Sequence, residues 1–192
     1  MTGTMRRQAL RFAQDAGHAL YFFALKPVEI DQLAEISRLS RGDDRRLLGY
    51  QRREIREHID AIRGYLDRGN VLFPNAIILA FDDEVKFRSK RGPAASDGLA
   101  TQGSVELRIP EQGATKPAWI VDGQQRAIAL SGTRNRSLPV PIAAFDRAGI
   151  ALQREQFLTV NSVRPLDTRL VTELLPEVDR YVPPRLAGRR GT

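Results

Sequence analysis

The chain has 192 residues, is 42% hydrophobic and 28% charged, and carries a formal net charge of +7; this fits one globular domain with a real core and makes a polyanion such as DNA, RNA or a nucleotide a natural partner. It holds no cysteine and only two histidines, His18 and His58, which excludes disulfides, thiolate metal sites and cysteine nucleophiles and gives little support to a zinc centre or Ser-His-Asp chemistry. No apolar run approaches the ~20 residues of a membrane span, and the arginine-bearing start of the chain lacks an apolar stretch, so the expectation is a cytoplasmic protein with no signal peptide and no membrane partner.

In chain order, residues 19–26 are short, apolar and rich in aromatics and predict a buried strand. Pro27 opens a helix expected to run to about Ile36, and 37–48 are polar and basic, a loop or broken helix. The clearest helix is 49–68, where Ile55, Ile59, Ile62 and Leu66 recur on one face of a 3.6-residue period. Its interspersed arginines and carboxylates make a solvated, salt-bridged face. Residues 76–81 are apolar throughout and predict a central strand, while 82–103 read as one long surface loop carrying Lys86, Arg88, Lys90 and Arg91. Strands are expected at 104–109 and 116–121, a helix at 124–131, and a strand at 138–145 that Pro139 and Pro141 place near a sheet edge. A helix over 150–161 turns Leu152, Phe157 and Val160 inward, a last helix starts at Asp167 or Thr168 and ends near Leu175-Pro176, and 181–192 form a basic tail. Strands mixed with helices give an α/β (α+β) layer around one sheet.

The most informative stretch is Ala118-Trp119-Ile120-Val121-Asp122-Gly123-Gln124-Gln125-Arg126. An apolar strand stops at an Asp-Gly corner and feeds a helix, whose first backbone N–H groups lack partners and favour an anion. Gly123 lets the backbone approach a phosphate, the N–H groups of Gln124 and Gln125 can donate to it, and Arg126 brings a planar cationic fork. Asp122 can hold a Mg²⁺ ion that bridges phosphates, or cap the helix, and Gln125 can orient an attacking water. The plainer alternative is an ordinary helix start with Asp122 accepting backbone bonds and Arg126 on the surface. Gln51 lies on the inward side of the long helix and needs a partner, either a ligand or a neighbouring loop. Asn161 either caps its helix or reaches the ligand. His18 and His58 read as a loop and a surface-helix residue rather than catalytic groups.

Three segments together resemble the DGQHR-domain proteins, a DndB-like and DpdB-type branch of the ParB/sulfiredoxin-like superfamily: Gly49-Tyr50-Gln51-Arg52 at a helix start, Ile120 to Arg126, and Phe157-Leu158-Thr159-Val160-Asn161 before a further helix. Gln125 replaces the histidine of the motif, as in DGQQR-type relatives, so no histidine base is expected there. The resemblance covers roughly residues 5–180 and implies a ParB/sulfiredoxin-like mixed sheet flanked by helices, with a DGQHR domain over 1–180. It implies nucleotide binding and ATP hydrolysis, with Mg²⁺, in support of DNA modification by 7-deazaguanine insertion or phosphorothioation. Gly123, Gln124, Gln125, Arg126, Gln51, Arg52 and Asn161 would bind the nucleotide, and Asp122 and Gln125 would be catalytic. Implied partners are DNA, a modification enzyme of transglycosylase type and a second copy of the chain. Such proteins are often longer than this one, so a short or truncated form is expected.

Two further readings stay open. The chain can be a DNA-binding regulator of a modification operon whose corner meets DNA phosphates, although no recognition helix stands out. A nuclease has the least support, because beyond Asp122 only the pair Asp82-Asp83 offers carboxylates, and two-metal cleavage needs more.

Overall fold

The computed structural model describes residues 3–14, 17–36, 48–90 and 97–161, with the backbone alone at 48–54, 150, 154, 157, 158 and 161. The expected last helix at 167–176, the basic tail and the polar stretch 37–47 lie outside the described residues.

Among the described residues twelve elements follow one another: β1 (Gly3–Phe12), β2 (Leu20–Leu25), α1 (Pro27–Leu33), β3 (Ala34–Ile36), α2 (Leu48–Leu66), β4 (Ile77–Phe81), β5 (Lys86–Ser89), β6 (Thr101–Ile109), β7 (Ala118–Asp122), α3 (Gln124–Ser131), β8 (Val140–Phe145) and α4 (Ile150–Asn161). The eight strands make one mixed sheet in the order β3-β7-β4-β8-β2-β1-β6-β5. β3 runs parallel to β7 and β4 parallel to β8, and every other neighbouring pair is antiparallel. The fold is a mixed α/β sheet flanked by helices, consistent with the ParB/sulfiredoxin-like expectation. No helix among the described residues is long and apolar enough to cross a membrane.

The core lies on one face of the sheet. Tyr21, Phe23 and Leu25 of β2, Ile77 and Leu79 of β4, Val105 and Leu107 of β6 and Ile142 of β8 point into it, against Ile30 and Leu33 of α1, Ile59 and Leu66 of α2 and Leu130 of α3. This is the period-2 consequence of a pleated strand with one buried face. Ile55, expected on the inward side of α2, is instead 43% exposed. The end of α2 is tied to the end of α3: Asp67 accepts the Thr133 hydroxyl at 2.6 Å and the Arg134 N–H at 2.8 Å. These bonds hold the Asp67 carboxyl below its ordinary range, the Thr133 hydroxyl contributing most. On the opposite face, a smaller cluster of Ala80, Val121 and Ala148 receives Leu152 of α4.

Three sequence expectations change, and one strand, β1, has no counterpart among them. Helix α1 stops at Leu33, because Ala34 adopts extended backbone (φ −129°, ψ 144°) and enters β3 beside Ala118. β1 carries no predicted signal, because its core-facing positions include Arg7 and Arg11. Arg7 is satisfied by the buried Glu29 of α1, and Arg11 lies 6.0 Å from the centre of the Phe87 ring. The supposed loop 82–103 contains β5 and the start of β6. Gly103 of β6 is required there, since a Cβ would lie 2.3 Å from the Arg88 carbonyl and 2.5 Å from the Phe87 ring. Finally, β8 is central rather than marginal, between β4 and β2. Pro141 is tolerated because the ladder to β4 begins only at Ile142, leaving it one paired neighbour, Ala24.

Candidate functional site

The corner forms as the sequence predicts. β7 ends at Asp122, Gly123 turns with φ 88° and ψ 23°, and α3 starts at Gln124. Glycine is dictated twice over. The left-handed backbone disfavours any side chain, and a Cβ would sit 2.6 Å from Cδ1 of Ile77. Ile77 is there because β4 runs antiparallel to β7, with Ile78 opposite Asp122. The first helical bond is Ala127 N–H to the Gly123 carbonyl at 2.8 Å, and no side chain caps the helix start. The corner therefore lies at the positive end of the α3 dipole.

The side chains are arranged differently from the expectation. Arg126 folds back over Gly123. Its Nη2 donates to Oδ2 of Asp122 at 2.6 Å, and its Nη1 donates to the carbonyls of Asn75 and Ala76, each at 3.0 Å. The physical reason is the i,i+4 spacing at the helix start together with the exposed carbonyls of the segment leading into β4. Asp122 thus makes no helix cap; in this structure its carboxylate is the partner of Arg126. Both stay accessible, with 20% and 30% of their side-chain surface exposed. Gln124 and Gln125 are half-buried beside them. Gln51, Arg52 and Asn161 lie on α2 and α4 as expected, but their side chains lie outside the described residues, as does that of Phe157.

A nucleotide with Mg²⁺ fits this corner in part. The backbone donors suit a phosphate. The metal would have one carboxylate, Asp122, and would rely on phosphate oxygens and water for the rest. Among the described residues no three His, Asp or Glu side chains gather to hold a metal ion. The acidic pair considered for a nuclease is committed elsewhere at Asp82, which accepts the Trp119 indole N–H at 3.2 Å and the buried Gln153 amide at 2.9 Å.

Sequence reasoning passed over a second carboxylate, Asp146, which is 3% exposed. Its oxygens accept Ala19 N–H at 3.2 Å, Val85 N–H at 3.1 Å and the Tyr21 hydroxyl at 3.1 Å. Nδ1 of His18 lies 3.1 Å from its backbone carbonyl. Burial, then the nearby Asp146 charge, pushes the Tyr21 phenol from 10.0 to about 12. Nothing in the local sequence signals this knot, because its parts come from three separated segments.

Neither the curated proteins nor the solved structures include a match to this chain. One family model, described as DndB, DNA-sulfur modification-associated, matches residues 8–172, a span that contains the corner and every element of the described residues except the first half of β1. The chain belongs to the DndB family.

Proposed function

We propose that the chain binds a nucleoside triphosphate, ATP, at the corner of β7 and α3 and hydrolyses it in support of DNA-sulfur modification. The observation that carries this reading is the uncapped start of α3 behind a left-handed glycine that has no room for a side chain. The N–H groups of Gln124 and Gln125, with Arg126, would hold phosphate oxygens. Asp122 would hold Mg²⁺, and Gln125 would orient water. Gln51, Arg52 and Asn161 are proposed as further nucleotide contacts. ATP would supply the phosphoryl-transfer energy that licenses a partner enzyme. The family description favours sulfur insertion over 7-deazaguanine exchange.

For Arg126 to meet phosphate it must share or leave Asp122. A partly exposed i,i+4 pair contributes about 0.3–1 kcal/mol, whereas even millimolar binding supplies about 4 kcal/mol. Exchange of partner is therefore within reach of a bound triphosphate. A thermal-shift panel of ATP, CTP and GTP, with and without Mg²⁺, tests the reading alongside phosphate release. ATP at a hundred times its Kd should stabilise the protein by about 2.7 kcal/mol, and Arg126→Ala should remove the shift. Absence of both shift and phosphate release, with DNA and the modification enzymes present, overturns it.

The net charge of +7 favours a second reading, a DNA-binding regulator whose corner contacts backbone phosphates. There, Arg126→Ala would weaken DNA binding and lower its salt slope while leaving ATP without effect.

A further inference from the structure

The sheet face opposite the core is covered unevenly. At β7 and β4 it carries α4, but at β2 and β1 it leaves Phe22 and Leu10 exposed at 41% and 39%. These two residues are direct cross-strand partners. Phe12 meets Phe22 edge to face, with ring centroids 5.4 Å apart. Continuing outward, the register makes ordered rows on this face. Phe22 and Leu10 lead to Gln102, whose carbonyl accepts the Lys90 N–H. Gln8 leads to Ser104 and Arg88, and Arg6 leads to Glu106 and Lys86. The apolar end thus grades through neutral hydrogen-bonding side chains into a cationic edge.

A groove of about 660 Å³ follows these rows, lined by Phe22, Leu10, Gln8, Gln102, Arg88 and Lys90 among others. Its charge is one-sided. Outward positions of β1, β5 and β6 hold Arg6, Lys86, Arg88 and Arg108 against the single carboxylate of Glu106, with Lys90 just beyond. Glu106 takes Arg6 Nη2 at 2.6 Å and Arg88 Nε at 2.9 Å, so one carboxylate orients two guanidinium groups without neutralising the strip.

We propose that this face of β2, β1, β6 and β5 is a platform for single-stranded DNA, with Phe22 and Leu10 receiving bases and Arg88 and Lys90 receiving phosphates. Exposed aromatics beside a cationic track are what sequence-tolerant single-strand binding requires, because every base has a stacking face and every linkage a charge. A duplex hides its base faces and would leave Phe22 without use. The three strand steps from β2 to β5 span roughly 14 Å, and one groove crosses them from Phe22 to Arg88 and Lys90. The family's association with DNA modification selects DNA over RNA. The chain's own segment 181–192 suits this face poorly, since it carries Arg185, Arg189 and Arg190 and no acid. The platform is separate from the corner and does not depend on nucleotide binding.

The test is fluorescence anisotropy of the full chain with a labelled oligothymidine of about 12 nucleotides, against a duplex of equal length, over a salt series. Single-strand affinity should exceed duplex affinity and fall with salt. Phe22→Ala should weaken single-strand binding roughly 5- to 100-fold with little change in its salt slope. Arg88→Ala combined with Lys90→Ala should weaken it and flatten the slope. Thermal melting of each variant checks that it is folded, and both sites are exposed. Binding unchanged in both variants overturns the platform. So does equal binding of duplex and single strand that ignores Phe22→Ala, or a dimer that Phe22→Ala dissociates without any effect on DNA.

Discussion

Two aspartates show how one residue type serves two purposes. Asp146 is buried and meets only neutral donors, two backbone N–H groups and a phenol, brought to it by two other segments of the fold, the start of β2 and the turn at Val85. Asp122 is half-exposed at the corner and meets one guanidinium four residues along the same chain. The two backbone donors around Asp146 depend on its carboxylate, because they are buried, and the Tyr21 hydroxyl has besides it only the Val85 carbonyl at 3.5 Å. The Asp122–Arg126 pair sits beside an uncapped helix start, where, on the proposed reading, a phosphate would compete for the arginine. The difference separates a buried carboxylate tied into the fold from a half-exposed one whose partner can be exchanged.

Asp146→Ala should have the largest effect. It leaves Ala19 N–H and Val85 N–H without their acceptor and the Tyr21 hydroxyl with only the long bond to the Val85 carbonyl at 3.5 Å. Each stranded buried donor costs about 1–3 kcal/mol, so a loss of about 3–5 kcal/mol after partial relaxation is expected in urea unfolding. A loss below about 1 kcal/mol would erase the distinction between the two aspartates. The same knot carries a pH signature. The Tyr21 phenol is raised from 10.0 to about 12 in the folded state, so its contribution is intact below pH 10.0 and disappears as pH climbs through about 12. Unfolding midpoints should fall in that window, and Tyr21→Phe should flatten the fall.

Gly123→Ala comes next. The positive φ and the approach to Ile77 each penalise a methyl group, and together they predict a loss of about 2–4 kcal/mol. The same variant should weaken ATP-dependent stabilisation, since the corner must shift to admit the Cβ. Unchanged stability would mean that the backbone there is not fixed by its contacts.

These contrasts bear on what the sequence discloses. The strand–glycine–helix corner was legible because its signals are local: an apolar run, an Asp-Gly step and good helix formers. α2 and β2 were legible for the same reason. β1 was not, because its core-facing arginines disguise the alternation, and their partners Glu29 and Phe87 are distant in the chain. β8 was placed at the edge because prolines usually stand there, and only the stagger of β4 shows why Pro141 is central. At the corner itself the i,i+4 spacing of Asp122 and Arg126 was in plain view. That spacing lets the two side chains pair with each other, as they do in this structure. The outward platform was hidden because Phe22, Gln8 and Arg88 are joined only by register.

The smallest stability effect sharpens the comparison most. Asp122→Asn removes a partly exposed ion pair, so unfolding should change by less than about 1 kcal/mol. Arg126 keeps its bonds to the Asn75 and Ala76 carbonyls and stays in place. Binding should respond in the opposite direction from stability. Taking away the negative charge beside the helix start releases Nη2 of Arg126 and removes a repulsion, so ATP measured without Mg²⁺ should bind several-fold more tightly. Hydrolysis should fall at the same time, because the one carboxylate available to Mg²⁺ is gone. Arg126→Ala, in contrast, should lose binding and hydrolysis together. If Asp122→Asn unfolds the protein as readily as Asp146→Ala, or leaves ATP affinity unmoved, the corner pair is a structural clamp like the buried knot and the two aspartates serve one purpose after all.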